Sequence, residues 1–119
     1  MTVLDYGAGN IRSLINALKL LGYNVKFVKD AKDILSAERL IFPGVGAFGS
    51  AMALLESSGF VEPLKKYIQQ DRPYLGICLG LQTLCDGSEE SPGTKGLSVI
   101  PATVTQFNKA EGLAVPHMG

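Results

Sequence analysis

Short, uninterrupted apolar runs alternate along this chain with segments of helical periodicity, and that alternation restricts the fold more than any other feature. Thr2-Val3-Leu4-Asp5, residues 24–28, Leu40-Ile41-Phe42 and Tyr74-Leu75-Gly76-Ile77 read as strands. Asn10 can cap a helix whose Ile11, Leu14, Ile15, Leu18 and Leu21 share one face, with Gly22 closing it. Asp30 can cap a short helical turn through Ile34 and Leu35. Pro43-Gly44 is expected to break the third strand sharply. Residues 47–55 and 60–68 read as helices on either side of Ser57-Ser58-Gly59, and residues 79–84 as another. A polar loop over 88–96 leads to two more strand candidates, 97–100 and 103–107, arranged as a hairpin. Such alternation builds an α/β domain with a mostly parallel sheet and helices on both faces. Leu40-Ile41-Phe42, apolar throughout, suits a strand buried on both sides.

Composition excludes several classes. The 119 residues fit one domain, and a 46% hydrophobic content is enough for a real core. Eleven basic side chains balance eleven acidic ones, which argues against attachment to nucleic acid or a membrane surface by bulk charge. No apolar run has transmembrane length, and the first residues lack the basic and apolar regions of a secretory signal. Cys78 and Cys85 are too few and too close for a disulfide framework. The single histidine, His117, leaves no zinc constellation. A reduced, cytoplasmic setting is expected, or a plastid where a transit peptide precedes the segment. Val115-Pro116-His117-Met118-Gly119 brings no closing helix, so the expectation is that the segment stops inside a larger domain.

Gly76-Ile77-Cys78-Leu79-Gly80 carries the chemistry. A G-x-C-x-G pattern between a strand and a helix is the thiol form of a nucleophile elbow. The nucleophile sits on a strained turn, with its side chain exposed at the carboxyl edge of the sheet. Glycines two residues before and after allow close backbone approach without a Cβ clash. The helix beginning at Leu79 aims its free N–H groups at the sulfur, which favours thiolate. The Leu79 N–H can also stabilise an oxyanion. Pro43-Gly44-Val45-Gly46 follows the neighbouring strand, and its glycines let the Gly44–Val45 peptide present a second donor. Cys85, placed two turns along the same helix, reads as core. Gly7-Ala8-Gly9 after the first strand hints at a nucleotide-binding module, but Arg12 stands where that fingerprint needs a small residue.

Gly76-Ile-Cys-Leu-Gly-Leu-Gln82 resembles the nucleophile segment of class I (triad) glutamine amidotransferases. Asp5-Tyr-Gly-Ala-Gly-Asn10, Pro43-Gly-Val-Gly-Ala-Phe-Gly49, Glu89-Glu-Ser-Pro-Gly93, Lys95-Gly-Leu97 and Pro116-His-Met-Gly119 narrow the resemblance to the glutaminase subunit or domain of imidazole glycerol phosphate synthase, in histidine biosynthesis. Leu20-Leu-Gly-Tyr-Asn24 and Arg72-Pro-Tyr-Leu-Gly76 resemble the eukaryotic bifunctional type, in which the domain is fused to a cyclase barrel. The resemblance implies flavodoxin-like layering, incomplete at the C-terminus, and makes residues 1–119 the N-terminal part of a single glutamine amidotransferase domain. It implies Cys78 as nucleophile on the glutamine side-chain amide, with Leu79, Gly44 and Val45 forming the oxyanion hole. Gly46, Gln82 and Glu90 would hold the glutamine substrate. The partner would be a cyclase barrel, separate or fused, contacted by loops that include Asn10 and Met118. No metal or organic cofactor is implied.

One departure matters. The family's triad is completed by a His-x-Glu pair, and none occurs here. His117, in Pro-His-Met-Gly, matches a segment at the cyclase interface and is not assigned to catalysis. The chain would then cover the first ~60% of a domain of ordinary size, and alone it is expected to show no useful glutaminase turnover. Two alternatives stay open. One is a non-catalytic interaction domain on the glutaminase fold, and the other is the glutaminase domain of a different amidotransferase.

Overall fold

The computed structural model describes residues 1–5, 7, 11–107 and 112. Asn10, His117 and Met118, expected as a helix cap and at the cyclase interface, lie outside the described residues, as do Ala8 and Gly9. Strands β1 (Thr2–Val3), β2 (Lys26–Phe27), β3 (Leu40–Gly44) and β4 (Tyr74–Cys78) form one parallel sheet in the order β2-β1-β3-β4. Helices α1 (Arg12–Leu20), α2 (Ala31–Leu35), α3 (Phe48–Ser57), α4 (Val61–Gln69) and α5 (Leu79–Gln82) connect and cover it. Strands β5 (Cys85–Ser88) and β6 (Ile100–Val104) form a second, two-stranded sheet.

Side-chain alternation along the strands assigns the two faces. Val3 and Ile41 point to one side, where Leu18 of α1 covers them together with Ile11, Leu14 and Val25. Leu4, Leu40 and Phe42 point to the other, into the larger core with Ile34, Phe48, Met52, Leu55, Leu64, Tyr67 and Leu79. The expected α/β layering with helices on both faces is therefore what forms.

Local signals account for the element ends. Asp30 caps α2 and accepts the Asp33 N–H at 3.1 Å, and the Asp33 carboxylate accepts the Lys29 and Asp30 N–H groups in return. Those backbone donors, first that of Lys29, and the Lys26 ammonium at 3.0 Å hold the Asp33 carboxyl below its ordinary value. Arg72 closes α2 from a distance: its guanidinium donates to the Leu35 and Ala37 carbonyls and lies 4.6 Å from the centre of the Tyr67 ring.

Four local expectations are corrected. Helix α1 ends at Leu20, and Leu21, in the cap, is exposed rather than on the buried face. Strand β3 runs through Pro43 and pairs to Gly44 instead of breaking. The Leu40 N–H donates to Pro73, so the N–H position that Pro43 lacks faces β1, which has already ended at Val3. Helix α5 stops after one turn at Gln82, and Cys85 belongs to β5 rather than to that helix. The Thr83, Leu84 and Cys85 carbonyls accept N–H groups from Leu97, Val99 and Ser98, and this distant pairing displaces the helical reading of the Leu81–Leu84 apolar spacing. Gly96 permits the approach, because a Cβ there would lie 1.9 Å from the Cys85 carbonyl oxygen. The expected 97–107 hairpin is likewise replaced, since β6 is one strand paired in parallel with β5.

Candidate active site

Cys78 ends β4 and stands immediately before α5. Its backbone has φ +54° and ψ −112°, a conformation an L-residue adopts at a cost of roughly 1–3 kcal/mol. The turn is held by backbone packing on two sides. A Cβ on Gly80 would lie 1.7 Å from the Phe42 carbonyl oxygen, so α5 rests directly on β3. A Cβ on Gly76 would lie 2.7 Å from the Leu81 nitrogen, so α5 also rests on its own strand. Both glycines of the G-x-C-x-G pattern thus meet a steric demand that no other residue satisfies. The thiol of Cys78 is left exposed at the carboxyl edge of the sheet, where ligands gather in open α/β folds.

Beside it is a cleft of about 590 Å³, within the range of small-molecule sites. Cys78, Gln82, Gly46 and Glu90 all line it, so the structure brings together four residues that the sequence singled out separately. Gln82 comes from the end of α5, Gly46 from the loop after β3, and Glu90 from the loop after β5. Gly46 has φ +109°, a conformation open to glycine. Gly44 and Cys78 are register partners, which puts the Gly44–Val45 peptide at the same sheet edge as the thiol. Leu79 buries its side chain in the core, and its N–H opens α5. Leu79, Gly44 and Val45 are not among the cleft-lining residues.

The cleft also contains residues that the sequence reading did not single out for the site: Ser88, Glu89, Val104, Thr105 and Gln106. Glu89 accepts the Gln106 N–H at 3.1 Å, which ties the loop after β5 to the end of β6. The acidic pair Glu89-Glu90 was the available signal; Val104 to Gln106 carry none. Glu90 has a second role that the sequence hid. Its carboxylate accepts the Phe48 N–H at 3.2 Å and Ser91 Oγ accepts the Gly49 N–H at 2.9 Å, capping α3, whose own N-cap residue, Ala47, supplies no side-chain acceptor. Cys85 differs from Cys78 in kind. Burial, and then the neighbouring Asp86 carboxylate, push its thiol above the ordinary value, away from nucleophilic character.

Comparison with known proteins places this geometry. The family described as glutamine amidotransferase class-I matches residues 2–114. The Arabidopsis thaliana protein named imidazole glycerol phosphate synthase hisHF, chloroplastic, is 58% identical over 119 residues, which span 100% of this chain and 20% of that protein. The imidazole glycerol phosphate synthase subunit HisH of Methanothermobacter thermautotrophicus is 47% identical over 119 residues, 100% of this chain and 58% of that subunit. A solved structure described as a glutamine amidotransferase superposes with a TM-score of 0.73 at 25% identity, covering 87% of this chain and 55% of its own. The chain thus spans a fifth of the fused relative and under two thirds of the single subunit. With a strained, glycine-flanked cysteine at the sheet edge and a family match across nearly its whole length, the chain belongs to the class I glutamine amidotransferases.

Proposed function

We propose that residues 1–119 are the N-terminal part of one glutaminase domain, which supplies ammonia to a cyclase in the imidazole glycerol phosphate synthase reaction. The observation that carries this reading is the elbow, with Cys78 at φ +54° facing a cleft that Gln82, Gly46 and Glu90 also line. The relatives' names, on fused and on separate subunits alike, favour this synthase over other amidotransferases. The cyclase is either a second chain or a fused barrel. The chloroplastic designation of the Arabidopsis relative fits a plastid setting for a plant protein of this kind.

In the proposed reaction the Cys78 sulfur attacks the side-chain amide carbon of glutamine. The tetrahedral oxyanion is held by the Leu79 N–H and by the Gly44–Val45 peptide. Collapse breaks the C–N bond, and protonation of the leaving nitrogen releases ammonia and a glutamyl thioester on Cys78. Water then hydrolyses the thioester to glutamate and restores the thiol. Glu90 supplies charge for the substrate α-ammonium, and Gln82 and Gly46 provide polar contacts along the substrate. The base that shuttles the proton is a histidine of a His-x-Glu pair, which residues 1–119 do not contain.

That absence gives a direct test. The 119-residue chain expressed alone is expected to release no ammonia from glutamine above a buffer control, and the complete gene product to turn glutamine over, faster with the cyclase substrate bound. Steady turnover by the isolated chain would overturn the requirement for a distant base. A complete gene product inert toward glutamine would favour a non-catalytic interaction domain.

A further inference from the structure

Helix α5 leaves a carbonyl for side chains to satisfy. Because the helix lasts one turn, the Leu84 N–H donates to Leu81 and the Thr83 N–H to Leu79, and neither reaches the Gly80 carbonyl. Two hydroxyls donate to it instead, Tyr74 OH at 2.8 Å and Thr83 Oγ1 at 3.1 Å. Tyr74 begins β4, and its ring lies along the same strand face as Gly76 and Cys78, spanning from the bottom of the strand to the turn at its top. Thr83 is fully buried. Burial also pushes the Tyr74 phenol well above its ordinary value, so it remains a proton donor throughout the working pH range. Gly80 is already pressed against the Phe42 carbonyl.

We propose that Tyr74, assisted by Thr83, is a positioning residue for the elbow: by anchoring the Gly80 carbonyl it fixes the first turn of α5, and with it the direction of the Leu79 N–H relative to the Cys78 sulfur. This inference rests on the proposed role of Leu79 as an oxyanion donor. The Leu79 N–H lies one residue before the anchored carbonyl, in a peptide whose orientation follows from the strained ψ of Cys78. A loosened turn keeps the thiol exposed and the cleft formed but lets that donor wander. Since the oxyanion exists only in the transition state, the loss falls on kcat rather than on KM. Glu90 and Gly46, on other elements, still hold the substrate.

The test is steady-state glutamine hydrolysis by variants of the complete gene product, each with a thermal melt and a count of folded protein. Tyr74→Phe removes only the hydroxyl and is expected to lower kcat about tenfold with KM within about twofold, a fraction of the loss expected from a misplaced reacting group. Adding Thr83→Val is expected to deepen the loss to about a hundredfold, whereas Thr83→Ser, which keeps the hydroxyl, restores the single-variant rate. A Tyr74→Phe protein that melts lower but turns over at the parental rate per folded molecule would overturn the proposal and leave Tyr74 a purely structural residue. Cys78→Ala in the same assay separates the two ideas. If it is inert while Tyr74→Phe is fully active, the positioning inference fails alone; if Cys78→Ala itself turns over, the nucleophile reading fails and the inference falls with it.

Discussion

Replacing Cys78 with alanine is expected to lower glutamine hydrolysis by the complete gene product roughly 10⁴-fold or more, the order seen when a nucleophile is taken from a catalytic unit. The fold should barely notice. The side chain is exposed at the sheet edge and buries little apolar surface. Cys78→Gly goes further in the same direction: at φ +54° glycine has no Cβ to strain, so that variant should be more stable by about 1 kcal/mol and equally inactive. Stability gained as activity disappears is the signature of backbone strain retained for chemistry. Denaturant unfolding and ammonia release on the same samples would show it. A Cys78→Gly protein that loses stability would mean that the turn is not strained.

Gly80→Ala is expected to be severely damaging for a single added methyl. The added carbon would lie 1.7 Å from the Phe42 carbonyl oxygen and 2.7 Å from its carbon, both backbone atoms that cannot swing aside. Relief requires α5 to lift off β3, which strips Leu79 from the core and shifts the Cys78 turn. The cost is expected to reach about 3 kcal/mol or more, the upper end of overpacking penalties, with glutaminase activity lost at temperatures where the protein is still folded. Gly87→Ala is the matched control, since its Cβ would make only an ordinary 3.4 Å contact with the Thr94 carbonyl oxygen. Thermal melts and activity of the two variants side by side distinguish a local steric lesion from a general intolerance of alanine.

What was legible in the sequence was mostly what is decided by neighbours along the chain. Asp30 could be read as a cap because its partner, the Asp33 N–H, is three residues away. The elbow could be read because strand, glycine spacing and helix start lie within a few residues, and the glycine contacts give that spacing its physical reason. Parallel order followed from alternating runs, since crossover helices leave few other ways to bury them.

The failures share the opposite property. Residues 81–84 have helical apolar spacing, yet the chain turns at Gln82 because the carbonyls of Thr83 to Cys85 find donors in residues 97–99. No local pattern announces that pairing; Gly96 marks it only once its contact with Cys85 is known. Pro43 looked like a strand breaker, but its missing N–H faces the side of β3 where β1 has ended. For Glu90 the sequence suggested a contact to substrate, and its capping of the α3 N-terminus 42 residues away could not be read. Val104 to Gln106, which close the cleft, carry no signal by themselves because their place follows from the β5–β6 pairing.

The assignment of Cys78 as nucleophile can be examined by exposing the complete gene product to an electrophilic glutamine analogue, such as a chloroketone that places an alkylating carbon where the amide carbon would sit. Peptide mass spectrometry then locates the adduct. The expected result is one adduct, on Cys78, suppressed by excess glutamine. Modification of Cys85 instead, or inactivation with Cys78 unmodified, would contradict it.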